Sequence, residues 1–320
     1  MRNISTELMS LVNSTVYILG AGAIGKALAV FLSNSQRNVM LVRTSIDHYA
    51  MREESCTVEL HDGSSLQASV PTCALAELNA LEGIIVLTNK AHANEAIAKK
   101  LMNKTGNSPL IVMQNGLDVE KSFLENFDTV YRCVLFATSE VTASQGVRFK
   151  PVRPSPIGVV KGDPSTVGSI IQLLDTGYFR FCASDNIIPI IWKKTIANCV
   201  FNSICPLLEV DNGLFHRNET ARLLAIRVIH ECVSLAKEAG IQLDPEDILQ
   251  VVLMISRASD GNLISTLQDI RHGRDTEIES LNFAITAIAA GLNKTMLVAE
   301  TRLLGELTRL KASVHKRVPA

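Results

Sequence analysis

Val16-Tyr17-Ile18-Leu19-Gly20-Ala21-Gly22-Ala23-Ile24-Gly25 decides how the rest of the chain is read. Four apolar residues end at a glycine, and a stretch of helical composition, Ala23–Leu32, follows. A short apolar run of this kind reads as a strand buried on both faces. The glycines fall in a G-x-G-x-x-G pattern placed between that strand and that helix, the context that makes the pattern informative. The first glycine permits a tight turn, the second lets backbone approach a pyrophosphate, and the third lets helix and strand pack closely. Free N–H groups and the dipole at the helix N-terminus then favour an anion. Gly20, Ala21, Gly22, Ala23, Ile24 and Gly25 are therefore candidate cofactor-binding residues.

Working outward, Val39–Val42, Ile84–Leu87 and Leu110–Met113 are further short apolar runs, with a helical stretch at Asn94–Leu101. Strands alternating with helices predict an α/β fold with a doubly wound, largely parallel sheet. Val130–Ala137 and Ile157–Val160 flank a proline-rich stretch and are expected as antiparallel additions at the sheet edge. Near residues 183–186 the texture changes to long helical patterns: Ile187–Cys205, Glu219–Ala239, Asp244–Met254, Thr276–Leu292 and Thr295–Lys311. Asp244-Pro245 reads as a helix start, and Thr276 with Glu279 and Ser265 with Gln268 fit capping boxes. The expected organisation is a Rossmann-type domain over residues 14–184 and an all-helical C-terminal domain over residues 185–320.

With 320 residues, 47% hydrophobic and 20% charged, the chain can bury a core in each of two domains. A formal net charge of −1 gives no electrostatic case for nucleic acid or an anionic membrane as partner. No apolar run approaches the roughly 20 residues that span a bilayer. The first fourteen residues have too short an apolar run for a secretory signal and read as an extension before the first strand. Seven cysteines, odd in number and scattered without a CxxC, read as reduced core thiols of a cytoplasmic protein. No cluster has zinc-ligand spacing, so no metal is expected. Gly20, Gly25 and Lys26 also match part of a triphosphate-binding loop, but Ala27 stands where Ser or Thr must hold Mg²⁺. Asn89-Lys90 begins a guanine-reading motif, but His92 stands where it needs Asp.

Arg43 follows the second strand, where an NAD enzyme places an acid for the ribose 2′-hydroxyl. A guanidinium there can instead bind a 2′-phosphate, which points to NADP(H). Ligands of open α/β sheets bind beyond the strand carboxyl ends. Thr88-Asn89-Lys90 and Gln114-Asn115-Gly116 occupy such ends, so Lys90 and Asn115 are candidates for cofactor or substrate contact. In the helical half, Lys194, Asn198 and Asn202 recur at i, i+4, i+8 along one helix face. Polar groups on a mostly apolar helix need partners. A small polar anion would supply them, and so would bonds within the domain. Ser265 and Glu277 stand in Ser265-Thr266-Leu267-Gln268-Asp269 and Thr276-Glu277-Ile278-Glu279, and composition alone reads these as helix starts.

Taken in order, these stretches resemble the ketopantoate reductase family. The glycine loop, Thr88-Asn89-Lys90-Ala91, Gln114-Asn115-Gly116-Leu117, the Trp192–Asn198 stretch with Asn202, and the two segments around Ser265 and Glu277 are similar to its motifs, in its order, from about residue 16 to 283. The resemblance implies a Rossmann domain joined to an all-helical domain with the active site in the cleft between them. It implies NADPH, and a hydride delivered to the keto carbon of 2-dehydropantoate to give pantoate. By the same resemblance, Lys194 is proton donor and carbonyl polariser and Glu277 assists it. Asn115, Asn198, Asn202 and Ser265 position substrate or cofactor, and Arg43 takes the 2′-phosphate. By analogy, a homodimer would form through the helical domain. Departures from the family pattern are Asp118, Asn282-Phe283, Gly291–Met296 and the second amine Lys193. They bear on which acid is reduced: ketopantoate, or another keto or imino acid. A non-catalytic NADP(H) sensor is the remaining alternative; it would need only the glycine loop.

Overall fold

The computed structural model describes residues 14–142 and 146–317; the expected N-terminal extension, up to residue 13, lies outside them. The chain falls into two units. One comprises the chain through Gln114 together with Val119–Ile187, and the other comprises Asn115–Asp118 and the chain from Ile188 onward. The helical unit thus includes a four-residue segment, Asn115–Asp118, that follows directly on the first unit's Gln114 and that no local pattern separates from it.

In the first unit the elements are β1 (Thr15–Leu19), α1 (Ala23–Asn34), β2 (Val39–Arg43), β3 (Arg52–Leu60), β4 (Ser65–Ala74), β5 (Gly83–Leu87), α2 (Asn94–Leu101), β6 (Leu110–Val112), β7 (Val130–Cys133), β8 (Ala137–Val141), β9 (Val147–Pro151), β10 (Ser155–Lys161), α3 (Val167–Leu174) and β11 (Phe181–Ala183). One sheet runs in the order β11-β10-β7-β6-β5-β1-β2-β4-β3-β9-β8. Its middle, β4-β2-β1-β5-β6-β7, is parallel throughout. That is the doubly wound order, with the strand sequence reversing direction between β1 and β5, where such sheets bind ligands. The fold class read from the sequence is the one observed.

Successive β1 residues serve opposite faces. Val16 and Ile18 pack with Ala27–Leu32 of α1 and with α3, whereas Tyr17 and Leu19 pack with Ile97, Ala98 and Leu101 of α2. Burial on both faces is why the strand reads as an unbroken apolar run. One expectation needs correction. Val130–Cys133 is no edge strand: it lies inside the sheet, parallel to β6, and only β10 beside it is antiparallel. The hairpin β3–β4 carries no apolar run along β3, because its alternate residues Glu53, Ser55, Thr57 and Glu59 are polar while Cys56 and Val58 between them are buried.

The second unit holds α4 (Ile188–Leu208), α5 (Leu214–Arg217), α6 (Glu219–Glu238), α7 (Pro245–Ala258), α8 (Ser265–Arg271), α9 (Ala284–Gly291) and α10 (Ala299–Arg317). The mostly apolar α4 is central, packing against α6, α7, α8 and α10. Asp244 caps α7, its side chain accepting from the Glu246 N–H at 2.9 Å. The two capping boxes do not form. The cap position of α8 is Ile264, and Gln268 donates instead to the Leu263 carbonyl. The helix expected from Thr276 begins as a π turn, Glu279–Phe283, with Glu279 ion-paired to Arg309.

Candidate functional site

At the first unit's switch point, two of the three glycines are required by packing. Gly20 has φ +123°, and a Cβ there would lie 2.5 Å from the Asn89 amide nitrogen. At Gly25 a Cβ would stand 1.9 Å from the Gly20 carbonyl oxygen. Gly22, the N-cap of α1, is different: its φ of −83° suits any residue, and nothing lies within 4 Å of a Cβ built there. Packing gives no reason for glycine at 22, whereas a phosphate drawn against the backbone does. The loop therefore fits a dinucleotide pyrophosphate. Ala21, Ala23 and Ile24 pack partly into the core and offer backbone rather than side-chain function. Thr88 locks the end of β5 to the loop, its hydroxyl donating to the Leu19 and Gly20 carbonyls at 3.2 and 2.9 Å.

Lys90 starts a short 3₁₀ turn, Ala91–Ala93, and is half-buried. Arg43 ends β2, and its guanidinium donates to both carboxylate oxygens of Glu54 on β3, at 3.1 and 2.8 Å. Tyr49 also donates to Glu54, and its ring lies under Arg43 and Arg52, at 4.6 and 4.1 Å. The loops after β5 and β6 are held by a buried amide pair. Asn94 donates to Gln114 Oε1 and Gln114 returns a bond to Asn94 Oδ1, both at 2.7 Å, and Gln114 also donates to the Asn89 carbonyl. Fully buried Arg132, ion-paired with Glu120, donates to the Gln114 carbonyl at 3.2 Å.

In the helical unit, Lys194 and Asn198 are half-buried on α4 and Asn202 is buried. Asn202 is engaged inside the unit: its Oδ1 accepts from Thr266 Oγ1 at 2.7 Å and from Ser265 Oγ at 3.5 Å. It thereby ties α4 to the start of α8 and to Ser265. Lys193 points elsewhere, pairing with Asp247 on α7 at 3.2 Å. Asn115 Nδ2 donates to Glu277 Oε2 at 3.0 Å. Gly116 follows at φ +105°, with Ser280 so close that a Cβ would lie 2.2 Å from its carbonyl oxygen. The Leu117 N–H donates to that carbonyl at 3.0 Å, and Ser280 in turn bonds the Glu277 carbonyl. Glu277 thus sits on a turn clamped to the Asn115-Gly116-Leu117 segment, and this turn leads into the π turn against which α4 packs. The departures Asn282 and Phe283 are used in packing: Asn282 is fully buried and donates to the Thr301 carbonyl, and Arg309 stacks on Phe283 at 4.0 Å.

Sequence reasoning missed Glu54 and Tyr49 at Arg43, and the Asn94–Gln114 pair. Glu54 is one of three charged residues in a row of four with no pattern to single it out. Gln114 could have been suspected only as the neighbour of Asn115.

Two family models match, "Ketopantoate reductase PanE/ApbA" over residues 16–153 and its C-terminal counterpart over residues 186–308. The chain belongs to the ketopantoate reductase family. It is an oxidoreductase of that family, with a nicotinamide cofactor. A 2-dehydropantoate 2-reductase of Pyrococcus abyssi is 27% identical over 281 residues, 87% of this chain and 92% of that protein. Two solved structures share the fold. One is D-mandelate dehydrogenase with NADH and anilino(oxo)acetate, with TM-score 0.80 and 20% identity, covering 94% of this chain and 99% of that one. The other is a dimeric ketopantoate reductase from Staphylococcus aureus, with TM-score 0.77 and 19% identity, again over 94% and 99%. Among the described residues, no helix is long and apolar enough to cross a membrane.

Proposed function

We propose that this chain reduces 2-dehydropantoate to pantoate with NADPH, residues 14–184 holding the cofactor and residues 185–320 the substrate. The observation that carries the reading is the Asn115–Glu277 hydrogen bond of 3.0 Å, which joins two motif residues 162 positions apart in sequence. A structural turn would need neither the carboxylate nor the amide; a site that orients a small polar acid needs both.

When bound, the nicotinamide supplies the hydride to the keto carbon. Negative charge then builds on the carbonyl oxygen, and the Lys194 ammonium stabilises it and gives up a proton to it. Glu277, oriented by Asn115, assists Lys194 and holds the substrate. Asn198 and Ser265 bond the substrate's polar groups. Asn202 acts one step removed, holding the start of α8 through Thr266. Gly22 admits the pyrophosphate, Lys90 adds positive charge beside it, and Arg43 takes the 2′-phosphate.

The relatives' name and the intact motif set support ketopantoate. A second reading, reduction of another 2-keto acid by the same residues, is favoured by the anilino(oxo)acetate in the mandelate dehydrogenase of the same fold. Cytoplasmic location is supported by seven free cysteines, six of them buried. Self-association through the helical unit is supported by an exposed stripe on α10, Leu303, Leu307, Leu310 and Val314, at the 4-3-4 spacing of a helix-pairing seam. Charges of both signs, Arg302, Glu306 and Arg309, flank it, which suits a second copy of the same helix.

The test is loss of the reduced-nicotinamide absorbance with ketopantoate beside a panel of other 2-keto acids. Turnover confined to ketopantoate supports the proposal. Turnover confined to another acid moves it to the second reading. Tight NADPH binding with no turnover on any of them overturns the catalytic assignment in favour of a sensor.

A further inference from the structure

The guanidinium that reads as the 2′-phosphate ligand is already engaged by an internal anion. A single Arg43 nitrogen, Nη2, reaches both carboxylate oxygens of Glu54, at 3.1 and 2.8 Å, a charge-assisted contact of the kind arginine also makes to phosphate. Neither group is a loose surface charge: the Arg43 side chain is 29% exposed and that of Glu54 16%. Three further contacts hold the arrangement. Tyr49 donates its hydroxyl to Glu54, the Tyr49 ring underlies Arg43, and Arg52 lies over the same ring with its Nε 3.8 Å from Glu54. Two guanidinium groups and one carboxylate therefore share one aromatic platform, at the end of the strand beside the glycine loop.

We propose that Glu54 is a specificity-determining residue that competes with the 2′-phosphate for Arg43 and so lowers the preference for NADPH over NADH. This rests on the reading that Arg43 meets the 2′-phosphate. A 2′-phosphate entering this site must draw Arg43 off Glu54 and then lie close to the carboxylate it has displaced. The repulsion is felt by the phosphorylated nucleotide alone, because a ribose hydroxyl neither takes Arg43 from its partner nor carries charge. A carboxylate can in addition accept a bond from that hydroxyl, which favours the unphosphorylated cofactor. Arg52 keeps the cluster net positive, so NADPH is penalised rather than excluded.

The test is titration of full-length protein with NADPH, NADH, 2′,5′-ADP and 5′-ADP, followed by calorimetry, for wild type, Glu54→Gln, Glu54→Ala and Arg43→Ala, with thermal melts of each variant. Glu54→Gln keeps the shape and an acceptor for Tyr49 while removing the charge. It is expected to tighten 2′,5′-ADP and NADPH about tenfold, a modest factor for a partly screened charge, and to change 5′-ADP and NADH by about twofold at most. Glu54→Ala should shift the ratio of the two ADP affinities the same way, even where it lowers the melting temperature. If Arg43→Ala weakens 2′,5′-ADP and both Glu54 variants weaken it too, Glu54 positions Arg43 rather than competing for it, and the proposal falls while the role of Arg43 stands. If Arg43→Ala leaves the ratio of 2′,5′-ADP to 5′-ADP affinity unchanged, Arg43 is not at the 2′-phosphate, and both fall.

Discussion

Lys194 and Lys193 are neighbours with opposite fates. Lys193 is spent on an ion pair with Asp247, whereas Lys194 lies along the α4 face that carries Asn198 and Asn202. Replacing Lys194 with alanine should lower kcat by at least about 10²-fold, the low end for a lost general acid. Lys193→Ala should leave kcat near wild type, the exposed pair being worth about 1 kcal/mol or less. Steady-state kinetics of the two variants checks this, and a larger loss in Lys193→Ala would reassign the proton donor. The cysteines divide in the same way. Cys182 is exposed, whereas burial pushes the Cys205 thiol up to about 12 and holds Cys199 well above its ordinary value. Only the thiolate reacts. Mass spectrometry after brief alkylation of native protein at neutral pH should therefore find label on Cys182 and none on Cys199 or Cys205.

At the scale of the strand–loop–helix element, the three glycines answer different demands, and two substitutions separate them. Gly25→Ala forces a Cβ onto the Gly20 carbonyl and should cost about 3 kcal/mol or more, as overpacking against rigid backbone does. Gly22→Ala meets nothing and has a φ alanine can adopt, so its melting temperature should stay close to wild type while NADPH binding weakens at least about tenfold. Thermal melts read beside a cofactor titration check both; unchanged cofactor affinity in Gly22→Ala would argue against a phosphate at that position. Elsewhere the cap of α7 depends on one carboxylate, and Asp244→Ala should lower stability by about 1 kcal/mol, seen as a lowered denaturation midpoint with an unchanged slope.

For the whole molecule, the exposed seam of α10 predicts self-association. Leu307→Glu with Leu310→Glu places charge on two residues that are 42% and 59% exposed in the single chain, so folding should be unaffected. Sedimentation of wild type as a dimer and of the double variant as a monomer is the expected outcome; a wild-type monomer would leave the stripe without that role.

Much of this was written in local pattern. The apolar runs that became β1, β2, β5 and β6 needed only burial on both faces. The glycine loop needed only its place between strand and helix, and the Lys194-Asn198-Asn202 stripe needed only the 3.6-residue period. Local pattern failed where partners come from far along the chain. Nothing beside Arg43 announces Glu54, because a hairpin folded back from eleven residues on delivers it. Nothing beside Asn115 announces Glu277. The capping-box residues around Thr276 and Ser265 went to other partners: Glu279 pairs with Arg309, Gln268 donates to the Leu263 carbonyl and Ser265 bonds Asn202. The sequence by itself determined which side chains could bear charge or bend the backbone. Tertiary structure alone decided which of those charges face each other, since electrostatic pairing depends on distance in space and not on separation along the chain.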